Sequence, residues 1–255
     1  MTNNCESFIT KDEPRMGVHV YTDSHAPIRE SIGTYGEKSM HRELKWWIEP
    51  SSEFHEIQVG KYIADIKNSA GITEIQTQSF YKLRNKLEAF LPEHAVTLVY
   101  PLVHEKRIFT IDKESGAIIR SRLSPKRGNF YASFWELYQI KQYLSNENLS
   151  LRLLLLDVSE RRFEANRRKR YHKVDTTIRS LYDELKIECG IEYGKDYLKL
   201  IPSNLADPFT TSAYALSTGV NKRIAGAALN VLLHVGAVQR TGKAGRAYQY
   251  ARRSG

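Results

Sequence analysis

The order and period of the apolar residues predict an α/β fold: a mixed sheet flanked by helices, followed by a smaller basic module of helix, turn, helix and hairpin. Three observations carry the prediction. From Gly36 to Leu102 a helical segment, three short β-rich runs, a second helix and an apolar strand follow one another, the order of a layered α/β domain. A further apolar run, Leu151 to Asp157, reads as another buried strand. From Thr210 to Gly255 the chain has no Asp or Glu, yet its apolar residues keep a helical period.

At 255 residues, 41% hydrophobic and 26% charged, the chain has the composition of a globular protein with room for one large domain or two modest ones. Its longest apolar run, Leu153 to Leu156, is too short to cross a bilayer, and no signal peptide is read at its start. Cys5 and Cys189 have neither metal-ligand spacing nor a disulfide framework. The expectation is a cytoplasmic, reduced protein; membrane, collagenous, zinc-finger and disulfide-scaffold classes are excluded. The net charge of +9 is unevenly placed, with Lys222, Arg223, Arg240, Lys243, Arg246, Arg252 and Arg253 all in the acid-free C-terminal stretch. Such asymmetry points to a polyanion, and nucleic acid is the commonest one.

Residues 1–30 hold few apolar side chains and no period, so a flexible N-terminal arm is expected. In GEKSMHRELKWWI, Met40, Leu44, Trp47 and Ile48 fall at helical spacing, and Pro50 closes the segment. Strands are expected at His55–Val59, Tyr62–Ile66 and Ile72–Thr77, with turns at Gly60 and Asn68–Gly71. Phe80, Leu83, Leu87 and Phe90 share one face of a helix that stops before Pro92. Ala95–Leu102 reads as a strand buried on both faces, and Arg107–Ile111 and Ala117–Arg120 as a hairpin about Asp112–Gly116. The basic stretch 161–175 reads as a linker, with Asp175 capping a helix that carries Ile178, Leu181 and Leu185. The expected domains are therefore 31–160 and 176–255.

The sharpest local feature is YIADIKNSAGITEIQT. Asp65 ends one strand and, after a tight turn, Glu74 and Gln76 alternate with Ile75 on the next, which can set two carboxylates side by side. Such a pair repels unless a cation lies between them, and hard oxygen ligands suit Mg²⁺ or Mn²⁺. Asp65, then Glu74-Ile75-Gln76, then a basic helix resembles the nuclease core of the PD-(D/E)XK superfamily, that of many restriction enzymes and repair nucleases. The resemblance covers roughly residues 36 to 112. It implies a restriction-endonuclease-like sheet, metal held by Asp65 and Glu74, and a water oriented by Gln76, which stands in an E-x-Q variant where a lysine is usual. It also implies an assisting acid at Glu37, whose face His41 shares, and a charge-stabilising lysine from the following helix, Lys86 in preference to Lys82.

The C-terminal stretch reads as a helix-turn-helix with a wing. Thr210 and Thr211 offer a cap for a short helix, and Ser217-Thr218-Gly219 makes a turn. A longer helix runs from Asn221 to Gly236, and Val238–Arg240 and Arg246–Tyr250 pair across Thr241–Gly245. This resembles a winged helix, which puts Asn221, Lys222 and Arg223 at the major groove and Arg240, Lys243 and Arg246 on the wing near phosphates. The expected function is a Mg²⁺-dependent DNA endonuclease that hydrolyses phosphodiester bonds of double-stranded DNA. Restriction, phage defence, repair and transposition fit the same residues, as does a homodimer or larger nuclease complex for cutting both strands. The rival readings are a non-catalytic DNA-binding protein with a degenerate nuclease domain, and an RNA-processing nuclease.

Overall fold

Apolar residues that alternate along several strands bury best when the strands share one sheet with both faces covered. The computed structural model, which describes residues 35–165, 170–190 and 192–253, has that arrangement. Helix α1 (Tyr35–Ile48) leads into β1 (His55–Val59), β2 (Tyr62–Asn68) and β3 (Gly71–Ile75). A 3₁₀ turn at Phe80–Leu83 and helix α2 (Arg84–Phe90) cross over to β4 (Val96–Ile111), which pairs with β5 (Ile118–Leu123). Helix α3 (Phe134–Leu137), between 3₁₀ turns at Phe130–Ser133 and Tyr138–Tyr143, leads to β6 (Leu149–Ala165) and β7 (Arg170–Glu188). These strands form one seven-stranded sheet in the order β1-β2-β3-β4-β6-β7, with β5 on β4. It is mixed: β3, β4 and β6 run parallel, and the other pairings are antiparallel.

Each face has its own core. Val96, Leu98 and Tyr100 of β4 and Leu149, Leu151 and Leu153 of β6 pack on α2, α3 and the C-terminal helices. Val99, Leu154, Leu156 and Val158 on the other face pack with Met40 and Leu44 of α1. That is why β4 and β6 read as near-continuous apolar runs.

Three expectations are corrected. First, β4 continues through Arg107–Ile111 as one strand instead of ending at Leu102. Pro101 is tolerated because β3 stops at the Ile75–Val99 pair and β5 starts only at Arg107, so β4 has β6 alone beside it there. Second, the segment from Asp175 is a strand, not a helix, and residues 161–165 and 170–175 are β6 and β7, not a linker. The register skips Val174, Arg179 and Tyr182, and each skip adds a residue to the period-two alternation. Ile178, Leu181 and Leu185 thereby acquire helical spacing while lying on a strand. Third, the sheet ends at Glu188, so no boundary falls near residues 160–175. The expected arm 1–30 lies outside the described residues.

After a 3₁₀ segment (Glu192–Leu200), β8 (Phe209–Thr210), α4 (Thr211–Thr218), α5 (Lys222–His234), β9 (Val238–Ala244) and β10 (Ala247–Arg252) complete the chain. The three strands form a second sheet in the order β8-β10-β9. Thr210 caps α4 by accepting the Ala213 N–H, and Asn221 caps α5 by accepting the Ile224 N–H at 3.0 Å. Gly219, at φ +70°, closes α4 in the left-handed conformation that glycine adopts without strain. The turn between β9 and β10 is shorter than expected, Gly245-Arg246 only. Ala225, Leu229 and Leu232 of α5 belong to the same core cluster as Phe134 and Leu137, so the C-terminal elements pack into the sheet's own core. Ser31–Gly255 form one compact unit.

Candidate functional site

The ladder between β2 and β3 stops at the Ile66–Thr73 pair. Beyond it the strands part, and the Asp65 carboxylate takes the place of the missing rung: Oδ2 accepts the Ile75 N–H at 2.8 Å. The opposite neighbour departs as well, since Glu56 of β1 sits at φ +54°, a left-handed backbone rare for a residue with a side chain. The tight turn that brings Asp65 and Glu74 together depends on Gly71, at φ +125°, where a Cβ would lie 2.4 Å from the Ala95 carbonyl oxygen.

A cleft of about 400 Å³ opens here, lined by Asp65, Glu74 and Gln76 from the strand ends, His41 and Lys45 from α1, and Lys86 from α2. Glu74 is buried, with 2% of its side chain exposed, and Lys86 Nζ donates to both its oxygens at 3.0 and 2.8 Å. His41 Nε2 lies 3.1 Å from Asp65 Oδ2. Lys45, almost wholly buried, donates to Glu56 Oε1 at 2.7 Å. Burial and the neighbouring Asp65 charge push the Glu74 carboxyl up to about 7, against the pull of Lys86. Asp65 goes the other way: burial works to raise it, but the His41 hydrogen bond and charge, the Ile75 N–H and Lys86 together hold it below the usual carboxylate range.

Two crowded carboxylates, one raised by burial and by the charge of the other, form a donor pair whose repulsion a hard divalent cation would relieve. Among the described residues no group of three or more His, Cys, Asp or Glu gathers as a metal cage.

The expected cluster is thus partly assembled. Asp65, Glu74, Gln76 and Lys86 line one cleft. Gln76 departs from its expected place: β3 ends at Ile75, and the Gln76 amide turns to the Gln78 carbonyl, although its own N–H still donates to Val99 O at 3.0 Å. Glu37 lies in the first turn of α1, its side chain outside what is described. Lys45 and Glu56 were not foreseen. Lys45, four residues after His41, shares its helix face and was open to that inference. Glu56 carried no sequence signal, because its aim comes from a left-handed backbone.

In the C-terminal elements, Lys222 and Arg223 stand exposed on the first turn of α5. Arg240 and Lys243 lie over the Tyr248 ring at 4.3 and 5.1 Å, and Arg246 occupies the β9–β10 turn. Arg252 is used structurally, bonding the carbonyls of Pro202 and Leu205 and the Asp207 carboxylate. No helix among the described residues is long and apolar enough to cross a membrane.

An uncharacterized protein of Treponema pallidum (strain Nichols) is 32% identical over 127 residues, 49% of this chain. The chain spans about half the length of that relative, 50%. No solved structure matches significantly. A family model described as Domain of unknown function (DUF8091) matches residues 38–188, which run from the first turns of α1 to the last residue of β7 and hold Asp65, Glu74, Gln76 and Lys86. With more than half its length under that model, the chain belongs to the DUF8091 family.

Proposed function

We propose that this protein is a metal-dependent deoxyribonuclease of the PD-(D/E)XK type, with a restriction-endonuclease-like sheet and a C-terminal winged helix that holds duplex DNA. One observation carries the reading: Asp65, Glu74 and Lys86 meet in one cleft at the point where two antiparallel strands part. Asp65 and Glu74 are the residues that would hold Mg²⁺ or Mn²⁺. Such an ion, when bound, offsets phosphate charge and acidifies a water.

The chain's own groups divide the remaining work. Lys86 keeps a positive charge against Glu74 and stands ready for an anionic phosphate oxygen. His41 orients the Asp65 carboxylate through Oδ2, and the Ile75 N–H fixes the same oxygen from the strand side. Gln76 is neutral and can orient a water without charging it. Lys222, Arg223, Lys243 and Arg246, exposed on α5 and the hairpin, suit phosphate contacts.

A second reading has a specific observation behind it. Because the Gln76 amide turns to the Gln78 carbonyl instead of the carboxylates, a DNA-binding protein with a degenerate nuclease domain accounts for the same fold.

Cleavage of supercoiled and linear duplex DNA with Mg²⁺, with Mn²⁺ and with chelator separates the two. The nuclease reading expects metal-dependent nicking that disappears in Asp65→Ala and in Glu74→Ala, each shown to be folded. Intact, salt-sensitive DNA binding with no cleavage under any metal condition selects the second.

A further inference from the structure

The exposed aromatic side chains near α3 and α5 are not scattered. Trp135 of α3 is 37% exposed, Tyr138 one turn later 42% and Tyr81 54%. Each carries a cation over its ring: Arg223 over Trp135 at 4.2 Å, Lys141 over Tyr138 at 5.3 Å, and Lys82 over Tyr81 at 6.0 Å. Hydrogen bonds tie the three pairs into one surface. The Gln139 side chain accepts the Tyr81 N–H at 3.3 Å and donates to the Trp135 carbonyl at 3.4 Å. Lys141 donates to Asn230 of α5 at 2.8 Å, so the surface continues onto the helix that carries Lys222 and Arg223. At its other end Tyr81 and Lys82 follow directly on Gln76–Ser79, where the chain leaves the cleft. Glu136, the acid within this stretch, is buried and spent on the Phe80 N–H at 2.8 Å.

Exposed flat rings, each paired with a cation, on a surface that runs from a basic helix toward a carboxylate cleft, match one ligand chemistry. Unpaired bases stack on the rings and the phosphates between them meet the lysines and arginines. Duplex DNA buries its base faces and offers none to exposed rings. We infer that Trp135, Tyr138 and Tyr81 form a stacking platform for single-stranded nucleotides, so that the nucleic acid reaching the cleft is unpaired over several bases. This rests on the nuclease reading for its direction, but its test does not require cleavage.

The full chain, in chelator, is titrated against fluorescein-labelled oligothymidylate and against a labelled duplex of the same length, with anisotropy as the readout. Trp135→Ala is expected to weaken oligothymidylate binding about tenfold while duplex affinity changes less than about twofold. Trp135→Phe, which keeps a ring, restores most of the loss, and its unaltered melting temperature separates stacking from damage to the fold. Equal losses on both ligands, no loss on either, or no oligothymidylate binding by the parent chain would overturn the platform; the last outcome would leave the surface to a protein partner. Ring-dependent oligothymidylate binding without metal-dependent cleavage overturns the nuclease reading alone. Asp65-dependent cleavage, with neither binding affinity changed by Trp135→Ala, overturns the platform alone.

Discussion

Glu74 keeps its proton to a pH at which an ordinary glutamate is fully charged, because it is buried beside Asp65. Its carboxyl sits at about 7 in the folded chain against 4.5 for a free glutamate, so the fold holds this proton more tightly than the unfolded chain does. The stability it contributes is complete below 4.5 and is lost as pH rises through about 7. Urea denaturation of the metal-free chain should therefore show stability falling across that window, with a flatter profile in Glu74→Gln. Asp65 has the opposite sign: its contribution is present above its unfolded value and is lost in acid, as pH falls through its lowered folded one. Lys86 is the cation that makes a buried, charged Glu74 tolerable. Lys86→Ala should cost about 2 kcal/mol at pH 8 and less at pH 5, where Glu74 is already neutral, as judged by the same denaturation curves. If cleavage is found, the same substitution should lower it by about 100-fold, the scale of losing one positioned charge at a reacting phosphate.

Turns and bulges decide where the elements present these residues. Gly71 is the clearest case, since a Cβ there meets the Ala95 carbonyl oxygen at 2.4 Å and φ is +125°. Gly71→Ala should destabilise the chain by about 2 kcal/mol or more and should shift the Asp65 and Glu74 carboxylates relative to each other. Melting temperature checks the first effect, and divalent-ion titration calorimetry checks the second. The helix content of the C-terminal stretch was legible because caps are local: Thr210, Asn221 and Gly219 are stop and start signals read residue by residue. β7 was not legible for the converse reason. Its three register skips are set by pairing with β6, and they convert strand alternation into the spacing of a helix.

At the scale of the whole molecule, α5 and α3 share one core with the sheet. The basic C-terminal module is therefore held against the body of the protein, and thermal unfolding should be a single transition, with calorimetric and van't Hoff enthalpies in agreement. A chain ended after Glu188 would bare Phe134, Leu137 and Ile140, and should aggregate or melt without cooperativity. Binding to duplex DNA, if the proposed function holds, should weaken with salt. Replacing Lys243 or Arg246 by Ala should lower the slope of log affinity against log salt by about 1 for each phosphate contact removed.

The α/β class, the hairpin at Asp112–Gly116, the capped C-terminal helices and four residues of the cleft follow from the sequence alone. Each depends on contacts short in sequence or on a period that one element imposes by itself. The course of β7, the continuity of β4 through Pro101, the Lys45–Glu56 pair and the turn of Gln76 away from the carboxylates were decided only in three dimensions. For β7 and β4 a neighbouring strand distant in sequence supplies the partner and overrides the local pattern. Glu56 is aimed by a left-handed backbone and the Gln76 amide by a carbonyl two residues on, neither of which follows from residue period.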